Sequence, residues 1–158
     1  MRPALAALLV CFATVLAGCT PKLVPGTEIK DTPDARQILD LIGNYRVSLE
    51  ARNVEGVLKL VSGSFFENSG TPEAGDDYDR AGLEQKLRAW ANKTNAVRAT
   101  IEVKDILVNG DTAHVRYFFD VSFQIPGPDN SLQWKRETDT KELVVKREDG
   151  TWKIASGI

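Results

Sequence analysis

Two hydrophobic periods divide the chain. Between residues 33 and 95 apolar side chains recur at steps of three and four; from Val97 onward they fall at every second position. Ile38, Ile42, Tyr45 and Leu49 share one helical stripe, broadened by Leu39 and Leu41, while Arg36, Asp40, Arg46 and Glu50 mostly occupy the other side. Thr32-Pro33-Asp34 is a helix start: a capping hydroxyl, a proline at the first helical position and an early acid. This helix is predicted to end near Arg52. Asn53 can cap a second, shorter helix with Val54, Val57, Leu58 and Val61 inward and Gly63 as its stop. Ser64 to Glu67 reads as a short extended piece inserting Phe65 and Phe66. Glu67 to Asp79 is polar and broken by Gly70, Pro72 and Gly75, a loop expected to be mobile. Asp79 can cap a third helix carrying Leu83, Leu87 and Trp90 on one face, closed by Asn92 to Asn95.

The period-two region predicts long strands. Ile101, Val103 and Ile106 to Val108 lead into Asn109-Gly110-Asp111, a tight-turn signal. The return strand carries Ala113, Val115, Tyr117, Phe119, Val121 and Phe123 on one face and His114, Arg116, Phe118, Asp120 and Ser122 on the other. Pro126 to Asn130 makes the next turn. A third strand runs from about Leu132 to Arg147; its apolar parity changes between Trp134 and Leu143, which predicts a bulge or twist there. Asp149-Gly150 turns into a last strand with Trp152 and Ile154 on one face. Helices segregated before hairpin-linked strands make the class α+β: three N-terminal helices packed on an antiparallel sheet of three to four long strands.

A different kind of apolar segment precedes this domain. Arg2 is followed by an uncharged run from Ala4 to Leu16, shorter than the ~20 residues a spanning helix needs and ending in small residues, as a secretory leader does. The run closes on Leu16-Ala17-Gly18-Cys19, which resembles the lipobox of bacterial lipoproteins at all four positions. The resemblance implies that residues 1–18 are a signal peptide and that Cys19 carries acyl chains. Several chains make a lasting anchor, because each buried methylene contributes about 0.8 kcal/mol and one chain binds only marginally. Thr20 in place of aspartate favours the outer membrane, facing the periplasm, if the cell is Gram-negative. Residues 19–31, with Pro21, Pro25 and Gly26, are then the lipidated cysteine and a flexible tether, and 32–158 the folded domain.

Removal of residues 1–18 leaves 140 of 158 residues, one domain with a real core. The formal charge is −2 and the pI about 5.5, which argues against nucleic acid as a partner. Cys11 leaves with the leader and Cys19 is lipidated, so the domain folds without a disulfide. With one histidine and no spare cysteine, no metal site and no cofactor is expected. Asp76, Asp77 and Asp79 fail the calcium-loop spacing, since Ala81 and Arg88 fall where ligands are needed.

The order of elements is similar to that of the nuclear transport factor 2-like (SnoaL-like, cystatin-like) α+β cones. Carrying the resemblance are Tyr45 and Leu49, Phe65-Phe66, Val103-x-Asp105-Ile106 before Gly110-Asp111, Ala113-x-Val115 and Asp149-Gly150-x-Trp152-Lys153-Ile154. It implies a strongly curved sheet around the first helix and a conical pocket. Such folds host isomerases, dehydratases and hydrolases as well as binding and dimerisation domains, so function must come from the site.

Tyr45, Trp90, Tyr117, Phe119 and Trp152 are the candidate pocket lining. The two tyrosines can orient a ligand, but neither is a base at neutral pH. Asp120 lies on the polar face of its strand, where solvent or self-association is expected. Asp105 could serve as a base if the sheet bulges. No catalytic residue stands out beyond these two. The leading expectation is a lipid-anchored envelope protein that binds a small apolar ligand or an envelope protein without catalysis. The alternatives are an isomerase, dehydratase or hydrolase using the cone, and a homodimer through the outer sheet face, motivated by Phe118 among polar neighbours.

Overall fold

A computed structural model describes residues 22–68, 74–129 and 131–158. Helix α1 is Pro33–Glu50, α2 is Val54–Leu60 and α3 is Arg80–Lys93. A two-residue pair, β1 (Phe66–Glu67) with β2 (Tyr78–Asp79), sits between α2 and α3. Four strands follow: β3 (Ala96–Asn109), β4 (Thr112–Pro126), β5 (Leu132–Glu148) and β6 (Thr151–Ser156), antiparallel and in sequence order. This is the α+β arrangement that the two periods predict.

Each helix starts on the cap that its sequence offers. Thr32 Oγ1 accepts from Ala35 N at 3.1 Å, Asn53 Oδ1 from Gly56 N at 2.9 Å and Asp79 Oδ1 from Gly82 N at 2.9 Å. Between α1 and α2 the chain reverses through Arg52 in the left-handed region, φ 52°. Helix α2 stops at Leu60, before Gly63, because Val61 turns extended to bridge Ile154 of β6. Only Phe65 of the aromatic pair is inserted; Phe66, one residue on, faces solvent.

One core joins the layers. Ile38, Leu41, Ile42 and Tyr45 of α1 meet Val57 and Leu58 of α2, and Ala113, Val115, Leu143, Val145, Trp152 and Ile154 of the sheet, nearly all fully buried. Burying side chains of this size contributes roughly 1.5–3 kcal/mol each, and helix and sheet supply those faces to one another.

The bulges lie elsewhere than expected. Pairing of β4 with β5 is unbroken from Thr112↔Lys146 to Pro126↔Leu132, so no bulge separates Trp134 from Leu143. The parity change has another cause. Leu143 and Val145 face the helices, Trp134 lies on the outer face, and β5 is exposed on both faces from Leu132 to Glu142 because the sheet extends past the helices. A register shift in β3 falls between Val103 and Asp105, and another at the β5–β6 pair between Val144 and Val145.

Cys19 and the lipobox lie outside the described residues, as do residues 69–73 of the Glu67–Asp79 loop. The segment read as a tether is folded from Lys22 onward. Leu23 bridges Lys30, Gly26 takes φ 77° at the turn, and Ile29 is buried. Asp31 pairs with Arg36 Nη2 at 2.7 Å and with Lys22 at 3.3 Å.

The Arg36 hydrogen bonds hold the Asp31 carboxyl down at about 2, against an ordinary 3.8. A carboxyl depressed by folding stabilises the native state fully above its ordinary value and loses that contribution as pH falls toward its folded value. Asp31→Asn is therefore expected to flatten the fall in melting temperature between about pH 4 and pH 2, read by a thermal melt series across that range. A wild-type slope in the variant would contradict this.

Candidate functional site

A cavity of about 290 Å³ opens between α1, α3 and strands β3 to β5. Tyr45 and Leu49 come from α1, Leu87 and Trp90 from α3, and Val97 and Ile101 from β3. Tyr117, Phe119, Val121 and Phe123 form a row on β4, with Glu137 and Lys141 from β5 and Ile158 behind them. The row exists because period-two alternation puts residues 117 to 123 of odd number on one face. Apart from the tyrosine hydroxyls, Glu137 and Lys141, the wall is apolar, the usual make-up of a small-molecule site.

Two phenols lie in its wall. Tyr117 is buried, and its hydroxyl donates to Gly157 O at 3.1 Å. Burial, then the nearby Glu67 and Asp139 carboxylates, pushes this phenol up to about 12. Tyr45 is 9% exposed, and burial drives its phenol well above the ordinary range, with Tyr117 and Tyr78 adding to the effect. Both hydroxyls therefore stay protonated as donors near neutral pH. Tyr78 donates to Ile158 O at 2.8 Å, and Glu67 accepts from Gly157 N at 2.5 Å, which ties the chain end beside Tyr117.

Four of the five lining candidates, Tyr45, Trp90, Tyr117 and Phe119, border this cavity. Trp152 does not. It is 2% exposed in the core under α1, its Nε1 3.3 Å from Asp34 Oδ1 and the Arg147 guanidinium 4.5 Å above its ring. Its strand, β6, lies at the opposite edge of the sheet from β3, beyond the cavity wall.

Both candidate bases lie on the outer sheet face. Asp120 is held by Arg136 through two hydrogen bonds of 2.7 and 2.6 Å, and this pairing lowers its carboxyl below the usual range. Asp105 is placed by the β3 bulge. Val103 pairs with Tyr117 on the inner face, Lys104 is skipped, and Asp105 then pairs with Arg116 on the outer face while Ile106 takes the inner position. Regular alternation from Val103 would have pointed Asp105 inward; the bulge turns it out. Phe118 and His114 share that outer face, where His114 Nδ1 lies 2.8 Å from Glu142 Oε1. Among the described residues no group of His, Cys, Asp and Glu side chains could hold a metal ion.

Glu137 and Lys141 are lining residues that periodicity along β5 did not single out. Counting back by twos from the buried Val145 and Leu143 reaches both, and that was the available signal.

Solved structures share this arrangement of a cone-like sheet wrapped on its first helix. A conserved protein from Planctomyces limnophilus is 11% identical with a TM-score of 0.66, over 78% of this chain and 92% of its own. A Streptomyces avermitilis protein of the nuclear transport factor 2-like family, a candidate dehydratase, is 18% identical at a TM-score of 0.61, over 78% and 93%. The fold is the nuclear transport factor 2-like α+β cone. A ketosteroid isomerase-like protein from Erwinia carotovora atroseptica also shares the cone, at 11% identity and a TM-score of 0.64, over 80% of this chain and 95% of its own. No family model and no curated protein matches the sequence. At these identities the likeness carries the cone and its cavity, and the chemistry rests on the residues of this chain.

Proposed function

We propose that this protein is a lipid-anchored component of the bacterial cell envelope whose cone binds a small, largely apolar ligand without transforming it. The observation that carries the reading is the cavity: about 290 Å³, walled by apolar and aromatic side chains, with two tyrosines in its wall. A cavity of 150 Å³ holds benzene, so this one suits a ligand of roughly two rings. Phenols held in the protonated form donate hydrogen bonds and orient a guest; the candidate bases Asp105 and Asp120 lie on the other sheet face, which leaves Glu137 as the carboxylate among the lining residues. The anchor rests on Leu16-Ala17-Gly18-Cys19, and places the cone at a membrane surface, the outer membrane if the cell is Gram-negative.

The enzyme reading draws on the neighbours described as a candidate dehydratase and as isomerase-like. It would require Glu137, at the cavity wall on the exposed part of β5, to act as the base.

Filling the cone separates binding from folding. Val121→Trp is expected to abolish uptake of a fluorescent naphthalene probe while the melting temperature stays within a few degrees of wild type. Undiminished uptake with the ring in place would contradict a cone site. The anchor has its own test: Cys19→Ala is expected to abolish incorporation of labelled palmitate, and unchanged incorporation would refute it.

A further inference from the structure

The cavity wall carries two donors, the Tyr45 hydroxyl and the Lys141 ammonium, with no hydrogen-bond acceptor among the described residues. Tyr45, 9% exposed as a residue, stands at the cavity wall and its hydroxyl makes no hydrogen bond to another described residue, whereas Tyr117 beside it is committed to Gly157 O and Tyr78 to Ile158 O. Lys141 sits opposite Tyr117 across the β4–β5 ladder, on the inner face. Its ammonium lies 5.1 Å from the Phe119 ring centroid, and it forms no ion pair with a described carboxylate. The lysines at 22, 104 and 146 each have an acidic partner within 3.3 Å.

The acidic groups nearby do not fill that role. Glu67 accepts the Gly157 amide. Glu137 is four residues from Lys141 on an extended strand, about 13 Å away. Asp139 shares the inner face with both and is exposed. The cone thus presents a neutral donor and a cation beside Tyr117, with the Glu67 and Asp139 carboxylates near the same phenol, and an aromatic and aliphatic wall of Phe119, Val121, Phe123 and Trp90.

We infer that the cone selects ligands with an anionic, hydrogen-bond-accepting head, a carboxylate seated between the Tyr45 hydroxyl and the Lys141 ammonium, on an apolar ring body that lies along Phe119, Val121 and Phe123. This rests on the binding reading proposed above. Lys141, on the exposed part of β5 with its ammonium beside the Phe119 ring, supplies a charge-assisted hydrogen bond to a carboxylate at the cavity wall. The buried phenol adds direction, since a donor left unmatched in a filled cone costs free energy that an acceptor head recovers.

The test uses the full chain in lipid nanodiscs, with empty nanodiscs as the blank. Isothermal titration calorimetry compares 2-naphthoate with its neutral isostere 2-naphthamide and with the cation 2-naphthylmethylammonium. The acid is expected to bind about tenfold more tightly than the amide, and the cation weakest. Lys141→Met should remove the tenfold advantage and leave the amide unchanged, while Tyr45→Phe should weaken acid and amide alike by roughly fivefold. Equal affinity for all three probes, or a wild-type preference in Lys141→Met, overturns the head-group inference and leaves the binding reading standing. Failure of all three to bind overturns both.

Discussion

Trp152→Ala is expected to lower the stability of the domain by about 3–5 kcal/mol, the range for removing a buried aromatic side chain. In a domain of this size that corresponds to a fall in melting temperature of roughly 10–20 °C. The ring is 2% exposed and meets both layers of the fold. It also holds the start of α1 to the sheet: Asp34 in the first turn accepts from the indole and from Arg147, and Arg147 lies over the indole face. Truncation leaves a cavity and removes the platform on which that pair is organised. Trp134 is the control. It is 46% exposed on the outer face with Arg98 4.8 Å above it, so Trp134→Ala should cost under about 1 kcal/mol. Urea unfolding of the two variants checks both values. Near-wild-type stability in Trp152→Ala, with loss of probe uptake, would place the ring in the cavity wall and contradict its core position.

Gly157→Ala is expected to be nearly as damaging, from one methyl group. Gly157 has φ 94°, a conformation that costs an L-residue about 1–3 kcal/mol, and a Cβ there would stand 2.1 Å from Glu142 O. The backbone of β5 cannot yield as a flexible side chain would, so the chain end must move. Its departure breaks the hydrogen bonds from Gly157 N to Glu67 and from Tyr117 to Gly157 O, exposing the Tyr117 end of the cavity. The expected loss is about 2–4 kcal/mol. Burial, with Glu67 and Asp139 behind it, now holds the Tyr117 phenol at about 12; in the variant it should titrate nearer the ordinary 10. An alkaline absorbance titration reads this directly. An unshifted phenol together with wild-type stability would show that the chain end is not packed as described.

These two residues show where sequence reasoning reached and where it stopped. The caps at Thr32, Asn53 and Asp79, the Asn109-Gly110 and Asp149-Gly150 turns and the two apolar periods are local signals, and local hydrogen bonds and backbone sterics decide them. They were enough for the order of elements and the α+β class. The wall of the cone was legible along β4, where alternation is regular, and that reading reached Tyr117 and Phe119. It failed where the reason was tertiary. Trp152 shares an inward face with cavity residues, but only strand order says that β6 lies beyond them. Asp105 needed the bulge position, because one skipped residue reverses the face of everything after it. Lys141 and Glu137 were not singled out, because this part of β5 has no apolar residues to mark its inner face. Gly157 carries no local signal at all; its glycine is required by a carbonyl from a strand 15 residues earlier.

The most direct measurement is native mass spectrometry of the full chain, extracted in mild detergent and compared with its denatured mass. A wild-type protein carrying one extra small-molecule mass that is absent from Val121→Trp is the expected result, and fragmentation of that species should release an organic acid. A bare chain mass in both proteins, at detergent concentrations that preserve other protein–ligand complexes, would contradict a ligand-holding cone.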